Sequence, residues 1–246
     1  KNGKHVLMEK PIARNLEEAH MMVSESKKNN IKLMIAENYR YLPTIKSVKK
    51  ILDTGMIGDM TSIEIESKDY GPVSGWRLDK DSTGGGRFID GGIHYIDILL
   101  NLGGLPTRVY AQATETRLPN LQAEDTIIMI ANMPNKVIGL INHATSAPQN
   151  TRHDNVLISG TIKQLSFNPF DNEILVMSVE TQEKIKLDEG GPGFKEMLDD
   201  FRKYITNSSH KTIVSNEQAI NDLAVVLATY ESISKSIPVT PKFYQK

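Results

Sequence analysis

The sequence predicts an α/β fold in two unequal parts: one strand–helix–strand crossover, then a larger α+β region built on a mainly antiparallel sheet. Three observations carry this. Apolar runs at His5–Met8 and Ile31–Ala36 flank a helical pattern, the arrangement that joins neighbouring parallel strands. From Thr61 onward the apolar residues alternate with polar ones, as in half-buried strands. Two segments of helical period close the chain.

Taken in order, the run His5-Val6-Leu7-Met8 stops before Pro11 and reads as a buried strand. Asn15 offers an N-cap with Glu18 three positions on, and Leu16, Ala19, His20 and Val23 follow at helical spacing to Asn29-Asn30. Ile31 to Ala36 is the second strand. A two-stranded parallel piece cannot cover its own faces, so it belongs to a larger sheet or docks elsewhere. Pro43 opens a helix carrying Ile45, Val48 and Leu52, with Gly55 as its C′ residue. Strands are predicted at Ile63–Glu66 and around residues 109–116, 126–131, 137–144, 156–159, 164–167, 174–179 and 184–187. Pro134-Asn135 and Thr161-Ile162 are the predicted hairpin connections. Phe194, Met197, Leu198, Phe201 and Ile205 share one helical face, and Ser215 with Gln218 forms a capping box before Leu223, Val226, Leu227 and Tyr230.

Composition narrows the function. The chain has 29 basic and 30 acidic residues, without the clustered positive excess that a nucleic-acid partner requires. No apolar run approaches the ~20 residues needed to cross a bilayer, and no membrane partner is expected. Cysteine is absent, which excludes disulfides, thiolate catalysis and Cys-ligated zinc. A cytoplasmic location is expected by default.

Two clusters carry candidate chemistry. Glu9-Lys10-Pro11 lies at the carboxyl end of the first strand, where open α/β sheets bind ligands. Lys10 there can donate to a substrate oxygen, or be an ordinary surface lysine. The second cluster runs from Gly84-Gly85-Gly86-Arg87 to Asp90, His94 and Asp97. Three glycines permit close approach of a backbone or a ligand. On a helix, Asp90 and His94 share a face, and a carboxylate beside an imidazole suits proton transfer. Three readings of His94 stay open on spacing alone: a proton acceptor, a satisfied core histidine, or one of an i,i+3 metal pair with Asp97. No third metal ligand is evident, and no metal is expected.

In order and spacing these segments resemble the glucose–fructose oxidoreductase, inositol dehydrogenase and MocA (Gfo/Idh/MocA) family. The resemblance rests on Gly3 to Pro11 with its Glu-Lys-Pro, Asn38-Tyr39-Arg40-Tyr41-Leu42-Pro43, Gly55-Met56-Ile57-Gly58, Trp76-Arg77, the glycine stretch leading to Asp90, His94 and Asp97, and the two closing helices. It implies that residues 1–37 are the last βαβ of a Rossmann-like dinucleotide-binding domain. Residues 38–246 would then be an α+β substrate-binding and oligomerisation domain. It implies NAD(P)-dependent oxidation of a secondary alcohol on a sugar, inositol or related polyol. In that scheme Lys10 orients the hydroxyl beside the nicotinamide, His94 takes its proton and Asp90 is the carboxylate partner of His94. Glu9, Lys10, Arg40, Trp76 and Arg77 would lie near NAD or NADP. Tyr70, His153 and Asn142 are candidates for the sugar-facing side of the sheet, beside the alternative that they are ordinary sheet residues. A homodimer or homotetramer through the open sheet face is implied as well.

The sequence departs from the family in one respect. No G-x-G-x-x-G spacing occurs among its glycines, so the turn that sets pyrophosphate on a helix N-terminus is lacking from these residues. The expectation is a truncated chain that does not turn over alone. Two other functions compete: a non-catalytic binding or regulatory module of the same fold, and a glycoside hydrolase that uses NAD transiently.

Overall fold

The computed structural model describes residues 3–114, 116–148, 152–188 and 191–244. The predicted crossover is present. β1 (Val6–Glu9) and β2 (Leu33–Ala36) pair in parallel, with Val6 opposite Leu33, and α1 (Leu16–Lys28) connects them. Asn15 caps α1 by accepting from the Glu18 N–H at 2.9 Å, whereas the Glu18 carboxylate returns to Arg14. Ala19, Val23, Leu33 and Ile35 from this unit are buried in the same core as the rest of the molecule. The unit docks on the last helix, where Asn216 Nδ2 donates to the Leu33 carbonyl at 3.1 Å. Val6 remains 40% exposed.

After a tight turn at Asn38–Tyr41, α2 (Pro43–Asp53) starts with proline at its first position and ends at Gly55, whose φ is +74°. The large sheet then begins with β3 (Met60–Lys68). It continues with β4 (Arg108–Ala113), β5 (Thr126–Asn132), β6 (Ile138–Ala144), β7 (His153–Gly160), β8 (Gln164–Phe167), β9 (Glu173–Met177) and β10 (Gln182–Lys186). Its order is β10-β9-β8-β7-β3-β6-β5-β4, and β3–β6 is the single parallel pair within it. This is the mainly antiparallel sheet that the alternation predicts, with the two hairpins at 134–136 and 161–162. The predicted strand at 109–116 reaches into Glu115, which lies outside the described residues; that at 174–179 stops at Met177, leaving Val179 fully exposed.

A short α3 (Lys80–Thr83) precedes α4 (Ile93–Gly103), and α5 (Phe194–Thr206) and α6 (Asn216–Lys235) close the chain. α4 and α6 cover one face of the sheet, burying Ile96, Leu99, Leu223 and Val226 against Ile63, Ile65, Met129 and Ile141. Ser215 and Gln218 cap α6 reciprocally. The other sheet face is open, with Ile128, Ile130 and Ile138 exposed. On α5 only part of the predicted apolar face is covered: Met197 is buried, but Phe194 and Leu198 are exposed. Among the described residues no helix is long and apolar enough to cross a membrane.

Candidate active site

Lys10, at the carboxyl end of β1, and His94, in the first turn of α4, line one polar cavity of about 180 Å³. Arg87, Asp90, Tyr95, His143 and Arg152 complete much of its wall. The peptide from Lys10 to Pro11 is cis. Lys10 Nζ donates to the Asp90 backbone carbonyl and stands 3.7 Å from the Asp90 carboxylate. The ammonium and the imidazole, remote in sequence, thus face a shared space.

Asp90 and His94 do not pair as the helical spacing predicts. Phe88–Gly92 winds as a π-turn, and α4 begins only at Ile93, so four residues no longer return to the same face. Asp90 turns instead to three cations: Arg87 Nη1, Lys10 Nζ, and Arg77 Nε at 3.5 Å. The carboxylate on His94 comes from Glu37, the residue that follows β2. His94 Nδ1 donates to Glu37 Oε1 at 2.7 Å and Oε2 at 2.8 Å. Glu37 is buried and also accepts from the Tyr39 N–H at 3.1 Å. The Tyr39 ring stacks on the imidazole, with centroids 4.0 Å apart and planes 11° from parallel. With Nδ1 committed and the ring clamped, Nε2 is the nitrogen left for a ligand.

Arg152, just ahead of β7, ties the opposite wall together. It pairs with Asp154 at 2.6 Å and donates to Tyr39 Oη at 2.8 Å and to Tyr95 Oη. Tyr95 donates in turn to Asp154 and accepts from Ser67 Oγ at 2.8 Å. Burial, with Asp154 adding to it, pushes the Tyr95 hydroxyl far above its ordinary range, so it stays protonated. His143 on β6 is buried between Phe88 and Tyr95. Burial first, then Arg87, Arg152 and His94, lower its pKa to about 3.

Of the remaining predicted residues, Glu9, Trp76 and Arg77 gather with Lys10, Pro11 and Asp90 around a second cavity of about 450 Å³. Lys10 and Asp90 form the wall between the two cavities. Trp76 is 59% exposed, and the Arg77 guanidinium lies 4.8 Å from its ring centroid.

Arg40 is elsewhere. It is buried in a bidentate pair with Asp97, Nε to Oδ2 at 2.9 Å, and donates to Asn101 Oδ1 at 3.0 Å, away from both cavities. Asp97 is thereby taken from the i,i+3 metal arrangement with His94. Among the described residues no group of three potential ligands could hold a metal. Burial raises the pKa of Asp97 against the pull of Arg40, and burial with Asp97 nearby raises that of Asp222.

The three sheet candidates also lie outside the cavity. Tyr70 is 51% exposed, His153 pairs with Glu66 at 3.2 Å on the open face, and Asn142 donates to the same Glu66 at 3.3 Å. Each is one residue off: Asp69, Asp154 and His143 point the other way. A strand alternates faces, and buried Ile65, Ile141, Val156 and Ile158 already fix which parity is inward. The three glycines are met by protein. A Cβ on Gly84 would approach the Arg14 backbone, one on Gly85 the Tyr230 hydroxyl, and one on Gly86 the Glu124 carbonyl at 2.2 Å.

Glu37, Tyr39, His143, Arg152 and Asp154 are the functional candidates that spacing did not reveal. Glu37 obeys the same strand-end rule that picked out Lys10, and Asp154 and His143 follow from parity. For Arg152 no local signal existed.

Residues 45–165 match the model of the GFO/IDH/MocA C-terminal domain. Among curated proteins, oxidoreductase P35 of Formosa agariphila is 34% identical over 109 residues, 42% of this chain and 34% of that protein. The levoglucosan dehydrogenase of Pseudarthrobacter phenanthrenivorans is 36% identical over 107 residues, 42% of this chain and 27% of that protein. The myo-inositol 2-dehydrogenase of Thermotoga maritima is 28% identical over 151 residues, 60% of this chain and 44% of that protein. The match thus spans less than half the length of each. A levoglucosan dehydrogenase solved with NADH and levoglucosan superposes with a TM-score of 0.86 at 24% identity, covering 98% of this chain and 74% of that one. The aldose-aldose oxidoreductase of Caulobacter crescentus, complexed with glycerol, gives 0.86 at 23%, covering 97% and 72%. At those identities the likeness is one of fold. Helix α4 and most of the sheet lie in the matched stretch, so this part of the chain belongs to the Gfo/Idh/MocA C-terminal domain family, and the chain is similar to oxidoreductases of that family.

Proposed function

We propose that this chain carries the substrate half of a nicotinamide-dependent dehydrogenase that oxidises a secondary alcohol on a sugar, inositol or similar polyol. The observation that carries the proposal is the convergence of Lys10 and His94 on one small polar cavity. Lys10 Nζ holds the reacting hydroxyl by donating to its oxygen. His94 Nε2 accepts the hydroxyl proton, while Glu37 keeps the ring in the tautomer with hydrogen on Nδ1. Tyr39 excludes water from one face of the imidazole. NAD or NADP, when bound, accepts the hydride. Glu9, Lys10, Trp76 and Arg77 around the larger cavity fit the nicotinamide end, because that cavity shares the Lys10–Asp90 wall with the smaller one. Arg40 is left out of this assignment.

Residues 1–37 act here as the closing crossover of a dinucleotide-binding domain. With no G-x-G-x-x-G spacing in these residues, they hold a dinucleotide weakly unaided. The open sheet face, with Tyr110, Ile128, Ile130 and Ile138 exposed, supports self-association into a dimer or tetramer.

The test uses protein expressed from the full reading frame and supplied with NAD or NADP. The panel is myo-inositol, scyllo-inositol, levoglucosan, glucose and glucose 6-phosphate. Lys10→Met and His94→Ala should each lower kcat about 10²–10⁴-fold on any substrate that is oxidised. Release of free sugar from a glycoside without net dinucleotide reduction, or no turnover with any member, would refute the proposal.

A further inference from the structure

We infer that Arg87 Nε and the imidazole of His143 form a second oxygen subsite in the substrate cavity, which reads a hydroxyl other than the one oxidised. The inference rests on the polyol reading above and deepens it. Both residues line the small cavity, and both present a buried nitrogen that meets no partner, Arg87 Nε and His143 Nδ1. Buried polar atoms are almost always satisfied, so two orphans on one cavity point to a group that a ligand supplies.

They reach the cavity from different elements. Arg87 stands on the turn that leads into α4, and its Nη1 is already committed to Asp90. His143 comes from β6 and is 2% exposed, its ring set between Phe88 at 5.8 Å and Tyr95 at 5.9 Å. Neither can swing away to find water. Gly91 leaves room beside the ring, where a Cβ would sit 3.4 Å from His143 Nε2.

Charge decides what kind of oxygen fits. Arg87 is matched by Asp90, Arg152 by Asp154, and Asp69 also lines the cavity beside Lys10. The three cations of the lining, Lys10, Arg87 and Arg152, are offset by three carboxylates, Asp69, Asp90 and Asp154, which leaves no net positive charge to draw a carboxylate or phosphate. The imidazole stays neutral, because burial and the neighbouring Arg87, Arg152 and His94 all oppose its protonation. A neutral imidazole beside a guanidinium N–H suits an uncharged hydroxyl, which donates as well as accepts. The reacting hydroxyl sits at Lys10 and His94, so the subsite takes another oxygen on the same ring. Arg87 and His143 are then specificity-determining residues.

The experiment measures affinity by titration calorimetry for D-glucose, myo-inositol, their monodeoxy analogues and D-glucuronate. Wild type is compared with His143→Leu and Arg87→Lys; the latter keeps a charge opposite Asp90 but removes Nε–H. One monodeoxy analogue should bind wild type about tenfold more weakly than its parent, the effect of one net hydrogen bond. Both variants should bind the parent about tenfold more weakly, yet bind that analogue as wild type does. A misfolded fraction would weaken every sugar alike, so the ratio between parent and analogue isolates the contact. An equal loss on all analogues, no loss on any, no sugar binding, or D-glucuronate binding best would each overturn the subsite. Binding with this pattern but no dinucleotide reduction would retain the subsite and reject the dehydrogenase. Reduction without the pattern would do the reverse.

Discussion

Replacing His143 by Gln should change how the protein withstands acid. In the folded state burial, reinforced by Arg87, Arg152 and His94, holds this histidine at about 3, against 6.5 when it is free. Between those values the unfolded chain binds a proton that the folded chain refuses, so stability falls as pH drops below 6.5 and the loss is complete near 3. The slope is about 1.4 kcal/mol per pH unit. At pH 5 this one side chain therefore costs about 2 kcal/mol relative to pH 7.5, and at pH 4 about 3 kcal/mol. Against a total stability of about 5–15 kcal/mol that is a large share. Glutamine does not titrate, and all other groups titrate alike in the two proteins. Urea unfolding at pH 7.5 and pH 5 should show the variant's stability relative to wild type improving by about 2 kcal/mol on acidification. A difference that stays the same within ~0.5 kcal/mol at both pH values would mean that the imidazole is protonated in the fold, and the neutral subsite would fall with it.

Three further outcomes follow from the site. Glu37→Gln keeps the size of the side chain but offers an amide whose N–H₂ can face His94 Nδ1; kcat should drop about 10²-fold with KM nearly unchanged, and an equal effect from Asp90→Asn on His94 function would contradict the pairing seen here. Arg40→Met strands Asp97 and should lower stability by about 3–5 kcal/mol, while Arg40→Met with Asp97→Leu recovers most of it; a change confined to dinucleotide affinity, with normal unfolding, would restore Arg40 to the cofactor. Gly86→Ala drives a Cβ to 2.2 Å from the Glu124 carbonyl, a backbone atom that cannot yield, and should cost about 3 kcal/mol by thermal unfolding; a neutral effect would show that the glycines are kept open for a ligand instead.

The fold was legible wherever local signals agree. Asn15, Pro43, Gly55 and the Ser215–Gln218 box mark helix ends by chemistry that needs no tertiary partner, and the structure uses each of them. The sheet strands were legible from alternation. Two kinds of information were not. The π-turn at Phe88–Gly92 has no sequence period of its own, so the expected Asp90–His94 pair dissolved although both residues do line the cavity. Charge partners chosen across the fold were equally hidden: Arg40 finds Asp97 at a separation of 57 residues, as does His94 with Glu37. Tyr70, Asn142 and His153, named as sugar-facing candidates, lie on the open face instead. The parity of their strands is readable from buried Ile65, Ile141 and Val156, and it puts their neighbours Asp69, His143 and Asp154 inward.

The exchange of carboxylates between Lys10 and His94 explains why the site needs two acids of opposite setting. Glu37 is buried, bound to a single imidazole and a backbone N–H, and serves the one group that changes its protonation in the reaction we propose. Asp90 is partly exposed and shared among Lys10, Arg77 and Arg87, three cations that do not need to change theirs. A carboxylate shared among three cations cannot follow one proton, because any movement toward Lys10 is resisted by the arginines. It can only fix positions. Asp90 therefore works as a strut in the wall between the two cavities, tying the end of β1 to the turn before α4 and linking both to the exposed Trp76–Arg77 segment. Had the Asp90 carboxylate paired with His94, Lys10 would keep only the Asp90 backbone carbonyl as its anchor in the wall. The π-turn that rotates Asp90 away from the imidazole is what lets one short segment support both.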